Sequence, residues 1–257
     1  MAYRPAAVFD PQGYVIELSD NFLSGINLEN IRPDFDAGAG HELNGKMRAP
    51  HSSSALAVNM FGRWRRDPSS LRLQGETGFE SLRFEQQCPT GLGGTPPHLD
   101  LLAVSRDAVV AVESKCLEHF QAKHAYFSPS YDTIADSREK SAFFKLIPRL
   151  RENADEFKRL DVAQLVKHYL GLTKCWSDKP ITLLYLYWEP KNASEFDEFV
   201  EHRREVEKFS ELVGAESKLT FRAACHRELW DEWRNSGAPA WLRGHVMALG
   251  QRYDLII

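Results

Sequence analysis

Three charged side chains near the middle of the chain stand at spacings that could do chemistry. Asp100 lies in the run His98-Leu99-Asp100-Leu101-Leu102, and Glu113 and Lys115 end the run Val109-Val110-Ala111-Val112-Glu113-Ser114-Lys115. Successive side chains of a strand alternate between its faces, so Glu113 and Lys115 point one way and Ser114 the other. The lead-in, residues 108–112, is apolar on both faces, as a central strand covered on both sides would be. Two opposite charges at the end of such a strand cost stability unless they meet each other, a partner or a metal. Asp100 sits on the preceding strand of a short hairpin, where it could meet Glu113 across the ladder. Converging carboxylates repel, and a hard divalent cation relieves that repulsion. Mg2+ takes one or two carboxylates and leaves its other positions to water and phosphate oxygens. The Lys115 ammonium would then either orient a metal-bound water or help deprotonate it, and would offset charge on a reacting phosphate.

The elements that must hold these residues show in the periodicity. His51-Ser52-Ser53-Ser54 is a helix start ahead of residues 55–61, and Gly62 and then Pro68 end that helix. Residues 81–88, 98–104 and 108–116 read as an antiparallel meander, with Gly91 to Pro97 as its first turn. From about residue 136 to 172 the period is helical, interrupted by Pro148, with Val162, Leu165, Val166 and Tyr169 on one side. Residues 181–188 form a further buried strand, 196–213 an acidic amphipathic helix, 219–225 another strand and 228–234 another helix. Residues 1–50 are rich in Gly, Pro, Asp and Asn, with a strand-like run at 14–18 and a loop at 36–45. They read as an N-terminal arm packed on the core, with 51–257 as a single domain. The order helix, three strands, helices, strand, helix, strand, helix predicts an α/β sandwich around a mixed sheet.

Composition narrows the function classes. The chain has 257 residues, 43% of them hydrophobic, and a net charge of −4, so a nucleic-acid role requires a local basic face and not bulk charge. Arg63, Arg65, Arg66 and Arg72 form one basic cluster, and residues 138–174 carry nine Lys and Arg against five Asp and Glu. No apolar stretch suits a membrane span, and Met1 to Pro5 leads into no apolar signal region, so a cytoplasmic protein without membrane contact is expected. Cys88, Cys116, Cys175 and Cys225 form no CxxC, which points to reduced thiols without a structural zinc. Gly91-Leu92-Gly93-Gly94 lacks a following Lys-Ser/Thr and is a hairpin loop, not a phosphate cradle. His98, His119, His124 and His226 have no ligand spacing, and Glu118 reads as a charge at a helix start. The aromatics Trp176, Tyr185, Tyr187, Trp188, Trp230 and Trp233 read as core.

Taken together, Pro97-His98-Leu99-Asp100 and Glu113-Ser114-Lys115 resemble the two halves of the PD-(D/E)XK motif, the signature of the restriction-endonuclease-like nucleases. The Asp is not directly preceded by Pro, a departure shared by many members. Residues 52–59, 112–115 and 183–190 look like those of a bacterial family of restriction endonucleases, over roughly residues 52–233. The resemblance implies an αβββαβ core with a mixed central sheet flanked by helices. It implies phosphodiester hydrolysis with Mg2+ or Mn2+ on nucleic acid, with double-stranded DNA the expected partner, and it leaves a homodimer open. By the same resemblance Asp100 and Glu113 are metal ligands, the Ser114 carbonyl is a third, and Lys115 positions or activates the water. Many members add an acid from the first helix; residues 53–61 carry none, which moves that role to Glu80 or, better, Glu85, or leaves it vacant. Gln164, with Lys167 and His168 on one helical face, is an accessory candidate for phosphate contact. The rival expectation is a catalytically degenerate nuclease fold that binds nucleic acid or a protein without cleavage.

Overall fold

The computed structural model describes residues 7–37, 43, 45–135, 141–235 and 237–257. Helices α1 (Arg32–Ala37) and α2 (Ser53–Phe61) precede strands β1 (Phe79–Gln87), β2 (His98–Ser105) and β3 (Val109–Lys115). Helices α3 (Asp132–Ala135), α4 (Leu146–Glu152) and α5 (Val162–Cys175) lead to β4 (Ile181–Tyr187), α6 (Asp197–Val213), β5 (Thr220–Cys225), α7 (His226–Asn235) and α8 (Ala240–Tyr253). The five strands form one sheet in the order β1-β2-β3-β4-β5. β1, β2 and β3 pair antiparallel, and β4 and β5 join parallel. Parallel pairing needs a crossover, and helices α3–α5 and then α6 supply the two crossovers. This is the mixed sheet flanked by helices of a restriction-endonuclease-like core.

β3 is apolar on both faces because helices cover both. Val110 and Val112 join a core with Leu56, Phe61, Trp230, Trp233 and Leu249. Val109 and Ala111 join the other core, with Leu146, Leu165, Tyr169 and Phe209. The Ser52 hydroxyl accepts the Ala55 amide at 3.1 Å and caps α2 as its sequence predicts. Residues before α2 also feed the first core, through Phe22, Ile31, Phe35 and Met47.

Three local expectations change, and one helix went unanticipated. The strand-like run at 14–18 makes only a bridge between Phe9 and Val15 before a 3-10 turn at Leu18–Asn21, because the Val15 amide and carbonyl are taken up by Arg48. Asp36 and Ala37 belong to α1, not to a loop, while 38–42 and 44 lie outside the described residues. Pro148 does not interrupt a helix: it stands in the first turn of α4, where its missing N–H has no intrahelical partner to lose. Residues 136–140 lie outside the described residues. α8 had no amphipathic signature because its buried stripe mixes Leu242, Val246 and Leu249 with His245 and Arg252, and Gly244 and Gly250 lower its propensity. No helix among the described residues is long and apolar enough to cross a membrane.

Gly171 sets how closely α5 approaches Cys88, the residue that follows β1. A Cβ at this position would stand 2.2 Å from the Cys88 carbonyl oxygen, closer than any real contact. Gly171→Ala is therefore expected to push α5 outward and to lower stability by about 1–3 kcal/mol, despite the better helix propensity of alanine. Urea unfolding with an unchanged m-value would show it; a neutral or stabilising effect would contradict the close packing.

Candidate active site

The site begins where two strands part. The β2–β3 ladder ends at the pair Leu101–Val112, short of the pair that would join Leu99 to Ser114. In its place the Ser114 amide donates to Asp100 Oδ2 at 2.6 Å, so a side chain closes the end of the ladder. Continuing the register puts Asp100 opposite Glu113, on the face that also carries Lys115. The β1–β2 register, Phe84–Leu101 and Gln86–Leu99, puts Glu85 opposite Asp100 on the next strand. Three carboxylates thus stand in a row across three strands.

Helix α5 completes the face from above. Asp161 accepts the Gln164 amide at 2.9 Å and fixes the first helical turn. Gln164 Oε1 then accepts from Lys115 Nζ at 2.9 Å, and His168, one turn on, brings Nε2 within 2.8 Å of Glu113 Oε2. Glu113 Oε1 lies 2.5 Å from Lys115 Nζ. Glu113 is 2% exposed and His168 fully buried, whereas the Lys115 side chain keeps 15% of its surface. The pair is therefore closed below and open above.

The two carboxylates are driven apart in proton affinity. Burial pushes the Glu113 carboxyl upward, but Lys115 and His168 outweigh it and hold the group down at about 2. Asp100 goes the other way: burial, then the Glu113 and Glu85 charges, raise it well above the carboxylate range, only partly offset by Lys115 and the Ser114 amide. Burial by itself would lower the Lys115 ammonium, yet Glu113, Asp100 and Glu118 raise it above an ordinary lysine. Glu85 has φ +48°, a left-handed conformation that an L-residue rarely adopts and that costs about 1–3 kcal/mol. That strain lies beside the crowded carboxylate, with His98 Nδ1 at 3.5 Å from Glu85 Oε2.

Asp100, Glu113 and Lys115 share one face as their spacing implied, and Gln164, expected only as a phosphate contact, meets Lys115; Glu85 joins their edge, whereas Glu80 is exposed. Ser114 turns its hydroxyl to the opposite face, 3.2 Å from Nε2 of His226, which burial keeps neutral with a pKa lowered to about 3. Glu118 caps the strand end by accepting the Cys116 amide at 2.6 Å. His168 is the residue whose place was misread: it meets the Glu113 carboxylate, not a phosphate-facing surface, while Lys167 turns to the Phe127 ring. The i, i+4 spacing of Gln164 and His168 carried the signal. Arg65 pairs with Asp34, Arg149 with Glu156, Arg151 with Asp132 and Arg159 with Glu201, so much of the counted basic charge is shared with carboxylates.

Hard oxygen donors suit Mg2+ or Mn2+ better than a soft metal. Among the described residues no three His, Cys, Asp or Glu side chains form a metal cage by themselves. Asp100 and Glu113 do match an ion that binds through two carboxylates, and Asp100, raised first by burial and then by the Glu113 and Glu85 charges, faces a repulsion that a cation would relieve. No curated protein and no solved structure matches the chain. A family model described as Restriction Endonuclease associating with ARP matches residues 5–254, nearly the whole chain. The chain belongs to that family.

Proposed function

We propose that the protein is a divalent-metal-dependent endonuclease acting on double-stranded DNA. The observation that carries it is the convergence of Asp100, Glu113 and Lys115 on one face, with Gln164 holding the lysine. Asp100 and Glu113 would hold Mg2+ or Mn2+, with the Ser114 carbonyl as a third ligand and Glu85 as an accessory acid. The ion, when bound, supplies Lewis acidity at the phosphate and an acidified water.

The chain's own groups do the rest. Glu113 is charged at neutral pH, so it is ready as a ligand without first losing a proton. Lys115 is protonated and held from two sides, by Glu113 and by Gln164. A lysine so strongly protonated is a poor base. It acts as an oriented cation that donates its remaining N–H to the attacking water and offsets charge on the phosphate through space. His168 fixes the second Glu113 oxygen from the closed side. Asp100, anchored by the Ser114 amide, keeps its carboxylate at the opening of the ladder.

Two measurements test this. In metal-free buffer at pH 7, Asp100→Asn is expected to raise the melting temperature by about 2 °C or more, because an amide is neutral without the proton uptake that the raised Asp100 carboxyl imposes on folding. The same variant should lose the further rise that millimolar Mg2+ or Mn2+ gives the wild type. An unchanged metal response in Asp100→Asn would remove Asp100 from the ligand set. In a plasmid-nicking assay, Asp100→Ala, Glu113→Ala and Lys115→Ala should each reduce metal-dependent cleavage at least about a hundredfold with the fold intact. Wild-type rates in any of the three would overturn the assignment. A folded wild type that neither binds metal nor nicks DNA would leave a nucleic-acid-binding protein without cleavage.

A further inference from the structure

The two edges of the sheet are treated differently. At the β1 edge α1 packs against the strand, and the Phe84 amide donates to Asp34 Oδ2 at 3.0 Å. At the β5 edge no strand among the described residues pairs with the outward backbone. The β3–β4 ladder continues into a Trp188 amide donating to the Lys115 carbonyl, so even-numbered residues of β4 face β3 and odd-numbered ones face β5. With Leu183 paired to Phe221 and Tyr185 to Ala223, the amides and carbonyls of Phe221 and Ala223 turn away from β4. Cys225 fits this parity, since its amide donates sideways to Glu228 Oε2 at 2.8 Å. Beyond these groups lies a groove of about 1000 Å3, walled by α6 and α7.

The groove walls are acidic beyond what their own cations balance. Arg203 is committed to Glu189 through two contacts, at 2.7 and 2.6 Å, and Arg227 reaches Asp254 and the Pro190 carbonyl. Glu207 and Glu211, one helical turn apart on α6, are exposed, and no cation among the described residues is paired with either. Glu228 and Asp231 add charge from α7, the latter next to Arg234. Arg222 is the cation left on the strand itself. An unpaired strand edge beside an acidic wall matches an extended segment whose outward side chains are Lys or Arg. A second copy of this edge would bring the same acids against each other, which charge disfavours.

We propose that the β5 edge is a strand-addition site for an extended, basic segment of a partner protein. The added strand would lie three strand positions from β3, at about 4.8 Å each, so the carboxylate face stays open to a substrate. Main-chain hydrogen bonds to Phe221 and Ala223 would give the register, and Glu207 and Glu211 the charge selection.

The test uses the full chain and a fluorescein-labelled nine-residue peptide of alternating Lys and Val, with an alternating Glu and Val peptide as its opposite. Anisotropy is expected to show salt-sensitive binding of the basic peptide only. Ala223→Pro removes an outward N–H and leaves the inner ladder intact; it should weaken binding at least tenfold at unchanged melting temperature. Glu207→Lys with Glu211→Lys should do the same. If Ala223→Pro melts early, the basic peptide N-methylated at alternate residues takes its place and should fail to bind. Equal binding by Ala223→Pro, or by the N-methylated peptide, would reduce the effect to diffuse charge and overturn strand addition. A wild-type dimer in sedimentation velocity that Ala223→Pro abolishes would make the occupant a second copy and overturn it as well.

Discussion

A carboxylate that is 2% exposed yet charged at neutral pH, Glu113, constrains everything around it. A buried charge without compensation would be unaffordable, so the fold brings a cation and an imidazole to its two oxygens. The cation comes from the same strand, two residues on, which the pleat places on the same face without any tertiary help. The imidazole comes from α5, more than fifty residues away, and arrives only because α5 lies close on the sheet. That approach is set by Gly171 against the Cys88 carbonyl, and the first turn of the helix by the Asp161 cap. Packing and electrostatics are thus two sides of one arrangement.

The neighbouring carboxylate is solved only halfway. Asp100 receives the Ser114 amide but faces Glu113 and Glu85, and the net result favours its neutral form. Glu85 is itself held in a left-handed backbone conformation. Charge crowding and backbone strain rarely coincide in a region chosen for stability alone, because each costs free energy that ordinary packing would avoid. Their coincidence at the open end of a ladder, beside a lysine held from two sides, is the electrostatic imbalance that the proposed divalent cation would relieve.

Much of this is legible in the sequence alone. The alternation of Glu113, Ser114 and Lys115 needs only the geometry of a strand, and the five strands follow from apolar runs bounded by Gly and Pro. Gln164 was legible as an accessory candidate from the helical face it shares with Lys167 and His168, although the Asp161 cap that fixes it was not. What sequence could not supply was partnership over distance. The role of His168 depends on which helical face meets β3, and Lys167, one residue earlier, turns elsewhere. Counting charges over residues 138–174 also overstated a basic surface, since Arg151 and Arg159 are met by Asp132 and Glu201 from outside that span, and Arg149 is paired with Glu156 within it. Helix α8 was missed for a related reason: His245 and Arg252 stand where an amphipathic pattern needs apolar residues. Arg252 is buried because Asn21, from the first segment of the chain, accepts its hydrogen bond.

The treatment of the two sheet edges follows from the same logic of compensation. At β1 an outward amide is satisfied by Asp34, which also pairs with Arg65, so one carboxylate ties α1, the sheet edge and the chain after α2 together. At β5 the corresponding backbone groups meet a groove whose acidic walls exceed its cations. Water can satisfy such an edge, as it does any exposed strand, but nothing in hydration requires like charges to stand along it. Glu207 and Glu211, four residues apart on one helix, repel each other and cost a little stability in isolation. That cost is recovered when a cation lies between them, which distinguishes this edge from the one that Asp34 closes.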